Sequence, residues 1–227
     1  MEKLSAEGAG GAEVTMQVNS ITLAGILAVP KEAQGIVLFA HGGGSGRHSP
    51  RNQLVASLLQ QGGLATLLID LLTLQEEAVD LRTREHRFNI PLLADRLVGT
   101  TDWLLDREDA AALRVGYFGS STGAAAALIA AAERPQAASA VVSRGGRVDL
   151  AADALARVRA PTLLIVGGND HTVINLNRQA MGLLKAPTEL EIIPGAGHLF
   201  EEPGALEKVA HLARDWFQRH LTSPLTD

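Results

Sequence analysis

A chain of 227 residues with 46% hydrophobic side chains is long enough for one α/β domain with a large core. Its net charge of −5 argues against a general nucleic-acid binder, which needs a basic face. The absence of cysteine excludes disulfides, thiolate metal sites and a cysteine nucleophile.

Residues 1–12 are expected to form a loose tail, and 13–227 a single domain. The first residues carry acidic side chains and no apolar core of a signal peptide. No stretch approaches the roughly 20 apolar residues of a membrane span. A cytoplasmic protein without membrane or nucleic-acid partners is the expectation, with a homodimer left open. Glu13 to Val18 alternates, and Ile21 to Pro30 follows after Asn19-Ser20, which predicts an antiparallel hairpin at a sheet edge. The wholly apolar run Gly35 to Ala40 reads as a strand covered on both faces. It exits through His41-Gly-Gly-Gly-Ser-Gly-Arg-His48. A helix from Arg51 to Gln61 stops at Gly62-Gly63, and Leu64 to Asp70 is another buried strand.

Residues 73–88 are charged and read as an irregular connection, either a small lid or a surface excursion. A helix from about Ile90 to Asp106 has Pro91 in its first turn. Leu113 to Phe118 reads as a strand, Gly119-Ser-Ser-Thr-Gly123 as a sharp turn, and Ala124 to Glu133 as a helix. Further strands are expected at 137–143, 161–166 and 189–194. Helices are expected at 149–157, 173–184 and 204–221. Six strands from 35 to 194 alternate with helices, and with the hairpin the sheet has about eight. The fold class is therefore α/β: a mostly parallel, doubly wound sheet with helices on both faces. Sites in such sheets form beyond the carboxyl ends of the strands.

Strand, Gly-x-Ser-x-Gly and helix is the context of a nucleophile elbow, which makes Ser121 the candidate nucleophile and points Ser120 away from substrate. A serine needs a base, and His198 follows the last strand directly in a glycine-rich exit. Asp170 closes the preceding strand's exit, Gly167-Gly-Asn-Asp170, and is the candidate acid, with Asp149 as runner-up. Asp70 precedes the elbow and is assigned a structural role. Candidate oxyanion donors are the backbone amides of Thr122 and Gly43. His41 is expected to buttress that loop. Gly44 and Arg144 are candidate substrate contacts, the latter for a substrate carboxylate, with a structural role weighed equally. Structural pairing is preferred for Arg47, Arg51 and Arg147. Leu72, Phe118, Ile174 and Phe200 are candidate pocket residues, with core packing the commoner role. No cofactor or metal is called for: a P-loop would need Lys-Ser/Thr after its glycines, and Gly-x-Gly-x-x-Gly does not occur here.

Together, Phe39 to Ser49, Gly119 to Gly123, Gly167 to Asp170 and Gly195 to His198 resemble the dienelactone hydrolase-like group of α/β-hydrolases, over about residues 20–221. The resemblance implies hydrolysis of a small carboxylic ester or lactone through an acyl-enzyme, without a large cap domain. One departure matters: dienelactone hydrolases proper carry a cysteine nucleophile, and residue 121 is serine. That favours a more general esterase. Perhydrolysis, amide or phosphotriester hydrolysis on the same triad, and a non-catalytic binding role, are the alternatives.

Overall fold

The computed structural model describes residues 11–107, 110 and 112–222. Its strands are β1 (Ala12–Val18), β2 (Ile21–Ala28), β3 (Gly35–Ala40), β4 (Ala65–Ile69), β5 (Arg114–Ser120), β6 (Ala138–Arg144), β7 (Thr162–Gly167) and β8 (Thr188–Ile193). Its α-helices are α1 (Pro50–Gln61), α2 (Leu74–Thr83), α3 (Ile90–Leu105), α4 (Thr122–Glu133), α5 (His171–Met181) and α6 (Ala205–Leu221). The eight strands form one sheet in the order β1-β2-β4-β3-β5-β6-β7-β8. The six from β4 across to β8 run parallel, and the β1–β2 hairpin adds an antiparallel edge beside β4.

Every residue of β3, β4 and β7 is buried, because helices cover both faces of these strands. One face packs against α1 and α6, through Val55, Leu59, Val209 and Phe217. The other packs against α3 and α4, through Leu93, Leu97 and a run of alanines from Ala124 to Ala127. Between β6 and β7 lie only 3-10 turns over Val148–Arg157, so no cap domain is inserted there. The helix expected at 149–157 is broken at Ala152, whose φ of 38° interrupts any regular turn.

The expected irregular connection at 73–88 is instead ordered. It holds α2 and a 3-10 turn, His86–Phe88. Thr73 and Glu76 form a reciprocal cap: Glu76 N–H donates to Thr73 Oγ1 at 3.2 Å, and Thr73 N–H to Glu76 Oε2 at 2.8 Å. Arg96 on α3 bonds the other Glu76 oxygen at 2.7 Å, which ties α2 to the body of the protein. Of the expected tail, residues 1–10 lie outside the described residues, and Ala12 already belongs to β1. Among the described residues no helix is long and apolar enough to cross a membrane.

Candidate active site

The turn between β5 and α4 holds Ser121 at φ 50° and ψ −121°. That conformation costs a non-glycine residue about 1–3 kcal/mol and persists only where the surroundings over-determine it. Here they do. Ser121 N–H donates to the Arg144 carbonyl at 3.3 Å, and Ser121 O accepts from Arg147 N–H at 3.0 Å. The flanking glycines leave room for the turn. A side-chain carbon at Gly119 would overlap α4 at Ala124, and one at Gly123 would overlap the carbonyl oxygens of Ala40 and His41. Ser120 is buried, and its Oγ accepts the Gly42 amide at 3.2 Å.

Asp170 and His198 lie at the exits of adjacent strands, β7 and β8. Asp170 caps α5 through Oδ1, which accepts Val173 N–H at 3.4 Å, and its Oδ2 lies 2.6 Å from His198 Nδ1. A carboxylate accepts only, so Nδ1 carries the proton and Nε2 is left bare to act as a base. Backbone bonds lace the two exits together: Gly168 N–H to Ile193 O at 2.8 Å and Asn169 N–H to Ala196 O at 2.9 Å. The His198 ring packs over Gly145, where a side-chain carbon would sit 3.5 Å from Nδ1 and Cε1. The loop 144–147 thus touches Ser121 on one side and His198 on the other. Asp149, the runner-up acid, is instead held bidentately by Arg147 at 2.9 and 2.8 Å. Asp70 accepts from the backbone and guanidinium of Arg47, a structural pairing at the exit of β4.

Facing the elbow, His41 anchors the glycine loop in the way its buttressing role requires. Its Nδ1 lies 2.9 Å from Gly42 O, and its Nε2 accepts Leu71 N–H at 3.0 Å. Both bonds need the neutral ring with the proton on Nδ1. Burial, which disfavours the charged form, lowers its pKa accordingly. A side-chain carbon at Gly42 would come within 2.9 Å of Ser121 Cβ, so the loop and the elbow are in van der Waals range. With Gly42 N–H committed to Ser120, the next amide is that of Gly43, which makes none of the described hydrogen bonds. Thr122 N–H opens α4 and has no carbonyl one turn earlier to bond.

An open cleft runs beside this loop, between Gly42–Gly44 and the side chains of Leu72, Leu81 and Arg87. Of the four candidate pocket residues Leu72 lines it, whereas Phe118 and Phe200 are core residues and Ile174 packs with Val166 and Val173. Arg144 lies outside this lining, buried beside the ring of Phe118. Arg87 is a cleft residue that sequence reasoning missed. Its stem lies against Gly43, where a side-chain carbon would meet Arg87 Cδ at 2.7 Å. Asp80 holds both its head and its backbone: Arg87 Nε donates to Oδ2 at 2.7 Å, and the Arg87 backbone N–H to Oδ1 at 2.9 Å. Burial pushes the Asp80 pKa up, but the bonds and charge of Arg87 outweigh it and hold the carboxyl below its ordinary value.

The dienelactone hydrolase family model matches residues 23–222, almost the whole described chain. The chain belongs to the dienelactone hydrolase family. A dienelactone hydrolase from Anabaena variabilis, solved by crystallography, is 61% identical with a TM-score of 0.92, over 93% of this chain and 98% of that one. Est1E from Butyrivibrio proteoclasticus shares the fold at 16% identity, with a TM-score of 0.75 over 92% of this chain and 98% of that one. A Mycobacterium tuberculosis protein, named a candidate phosphoribosyl transferase, is 55% identical over 212 residues, 93% of this chain and 47% of that protein. The chain therefore spans about half the length of the curated relatives it matches. This family member has the α/β-hydrolase architecture, with a serine at the elbow position.

Proposed function

We propose that the protein is a serine hydrolase that cleaves a small carboxylic ester or lactone through an acyl-enzyme on Ser121. The observation that carries the reading is the 2.6 Å contact between Asp170 and His198 at the exits of β7 and β8, together with a serine held at φ 50° at the exit of β5. Ser121 Oγ attacks the acyl carbon while His198 Nε2 takes its proton. Asp170 keeps the Nδ1 proton in place and stabilises the imidazolium. The oxyanion receives the amides of Thr122 and Gly43. Collapse expels the alcohol, which takes the proton from His198, and a water molecule repeats the sequence on the acyl-enzyme. His41 holds the glycine loop from behind, so the donors need no rearrangement at the moment of reaction.

Leu72 and Leu81 give the cleft an apolar side suited to an uncharged hydrocarbon part of the substrate, with Gly44 as a backbone contact. The phosphoribosyl transfer in the relatives' name is not assigned to this chain, which covers 47% of that protein. A chain with no cysteine needs no oxidising compartment, and the reading places the protein in the cytoplasm. A fluorophosphonate probe tests the proposal: it is expected to label Ser121 in the wild type and to leave Ser121→Ala unlabelled. Run beside it, a panel of p-nitrophenyl esters, lactones, amides and phosphotriesters identifies the leaving group. On the preferred substrate, Ser121→Ala is expected to lose about 10⁶-fold in kcat. Full activity in that variant would overturn the assignment.

A further inference from the structure

Arg144 is the one arginine among the described residues that is buried, at 8% exposure. Arginines that are only half-buried, Arg47, Arg87, Arg96 and Arg147, each lie against a carboxylate. Arg144 has none among the described residues, and its Nη1 is fully enclosed without a hydrogen-bond partner. Its neighbours are the Phe118 ring, 5.8 Å from Cζ, and a second cation, Arg51, in the first turn of α1. Burial and then the Arg51 charge pull its pKa down to about 10. A ring face offsets only a small part of what burying a guanidinium costs. Arg51 Nη1 is itself bonded to Glu201 Oε1 at 3.3 Å, so Arg144, with its enclosed donor, is the cation here that no carboxylate among the described residues answers, and it describes a place for an anion.

We propose that Arg144 forms the floor of an anion subsite at the exit of β6, with Arg51 at its rim, that takes a carboxylate or a halide. The subsite adjoins the reaction centre: the Arg144 carbonyl accepts the Ser121 amide, and the next residue, Gly145, lies under the His198 ring. The anion is either free in solution or a carboxylate carried by the substrate. Binding of a free anion does not depend on the hydrolase reading, whereas the substrate source rests on it.

Urea unfolding of the whole protein in formate or bromide, against a bulky buffer anion at constant ionic strength, tests the binding. A saturable rise is expected, about elevenfold in the folding constant at ten times the dissociation constant. Arg144→Met is expected to show no rise, and Arg144→Lys a weakened one. An unresponsive wild type, or an Arg144→Met variant that responds equally, overturns the proposal. Should Arg144→Met fail to fold, bromide-soaked wild-type crystals decide, and no anomalous peak within reach of Arg144 overturns it. Kinetics then separate the sources. A preference of tenfold or more in kcat/KM for an ester bearing a terminal carboxylate over its neutral isostere, with competitive inhibition by formate, marks a substrate carboxylate. Stabilisation by formate without that preference marks a free anion. Were no ester turned over at all, the hydrolase reading would fail while the unfolding data still decided the subsite.

Discussion

Replacing Asp170 by asparagine separates its two jobs, because each of its oxygens does a different one. Oδ1 caps α5, and an asparagine caps a helix about as well as an aspartate. Oδ2 accepts the Nδ1 proton of His198 at 2.6 Å, and the asparagine amide would donate there instead. His198 must then carry its proton on Nε2, where the base has to be bare. A wrong tautomer in an intact triad costs about 10⁴ in kcat, or about 5.5 kcal/mol in the barrier. Stability is expected to change by less than about 1 kcal/mol. The assay pairs steady-state kcat on the preferred ester with urea unfolding, for Asp170→Asn and for Asp149→Asn as control. Asp149 is engaged with Arg147, so its variant is expected to keep kcat within about threefold of wild type. If Asp170→Asn keeps more than about a hundredth of wild-type kcat, or Asp149→Asn loses as much, Asp170 is not the acid of this site.

Other variants test the frame around the triad. Arg87→Ala strands the buried Asp80 carboxylate; a loss of about 3 kcal/mol is expected in urea unfolding. The joint change Asp80→Leu and Arg87→Met should recover part of it, and equal losses in both variants would refute the pairing argument. Gly123→Ala puts a methyl group into the carbonyl oxygens of Ala40 and His41, and is expected to cost about 3 kcal/mol together with fluorophosphonate labelling. A stable, labelled variant would contradict the described packing. His41 is neutral in the native state with a lowered pKa, so below about pH 6.5 the unfolded chain binds more protons at this position. Its contribution to stability is present above that pH and lost as pH falls. His41→Gln should flatten the slope of unfolding free energy between about pH 7 and 5, and an unchanged slope would show that His41 does not titrate differently in the two states.

How much of this was legible in the sequence depends on what each signal rests on. The parallel strands were readable because burial on both faces demands unbroken apolar runs such as Ile36 to Ala40. The elbow was readable because its glycines are steric necessities, and the Asp170–His198 partnership because both residues sit in the glycine-rich exit loops of strands. The helix α2 was not, since the usual amphipathic pattern is inverted there: Leu74 and Leu81 are exposed while Asp80 is buried. The reciprocal cap of Thr73 and Glu76 was its one local signature. Arg87 was hidden among charged neighbours, because its position against Gly43 depends on a contact across more than forty residues of chain. Nor does any pattern announce that Arg144, unlike the other arginines around the site, is enclosed without a counter-charge.

The run of alanines in α4 bears on how this protein can diversify. Ala124, Ala125, Ala126, Ala127, Ala130 and Ala131 are all at 0% exposure, wedged between the sheet, α3 and the turns after β6. A helix of such small residues lets the backbone behind Ser121 approach the sheet closely. It also leaves no slack, since any larger residue there would push on the elbow itself. New specificities are therefore expected to arise on the opposite bank of the cleft, where α2 exposes Leu74 and Leu81 and can be redecorated without disturbing the strained serine. A library confined to residues 72–88 should retain labelling at Ser121 far more often than one of equal size confined to residues 124–131.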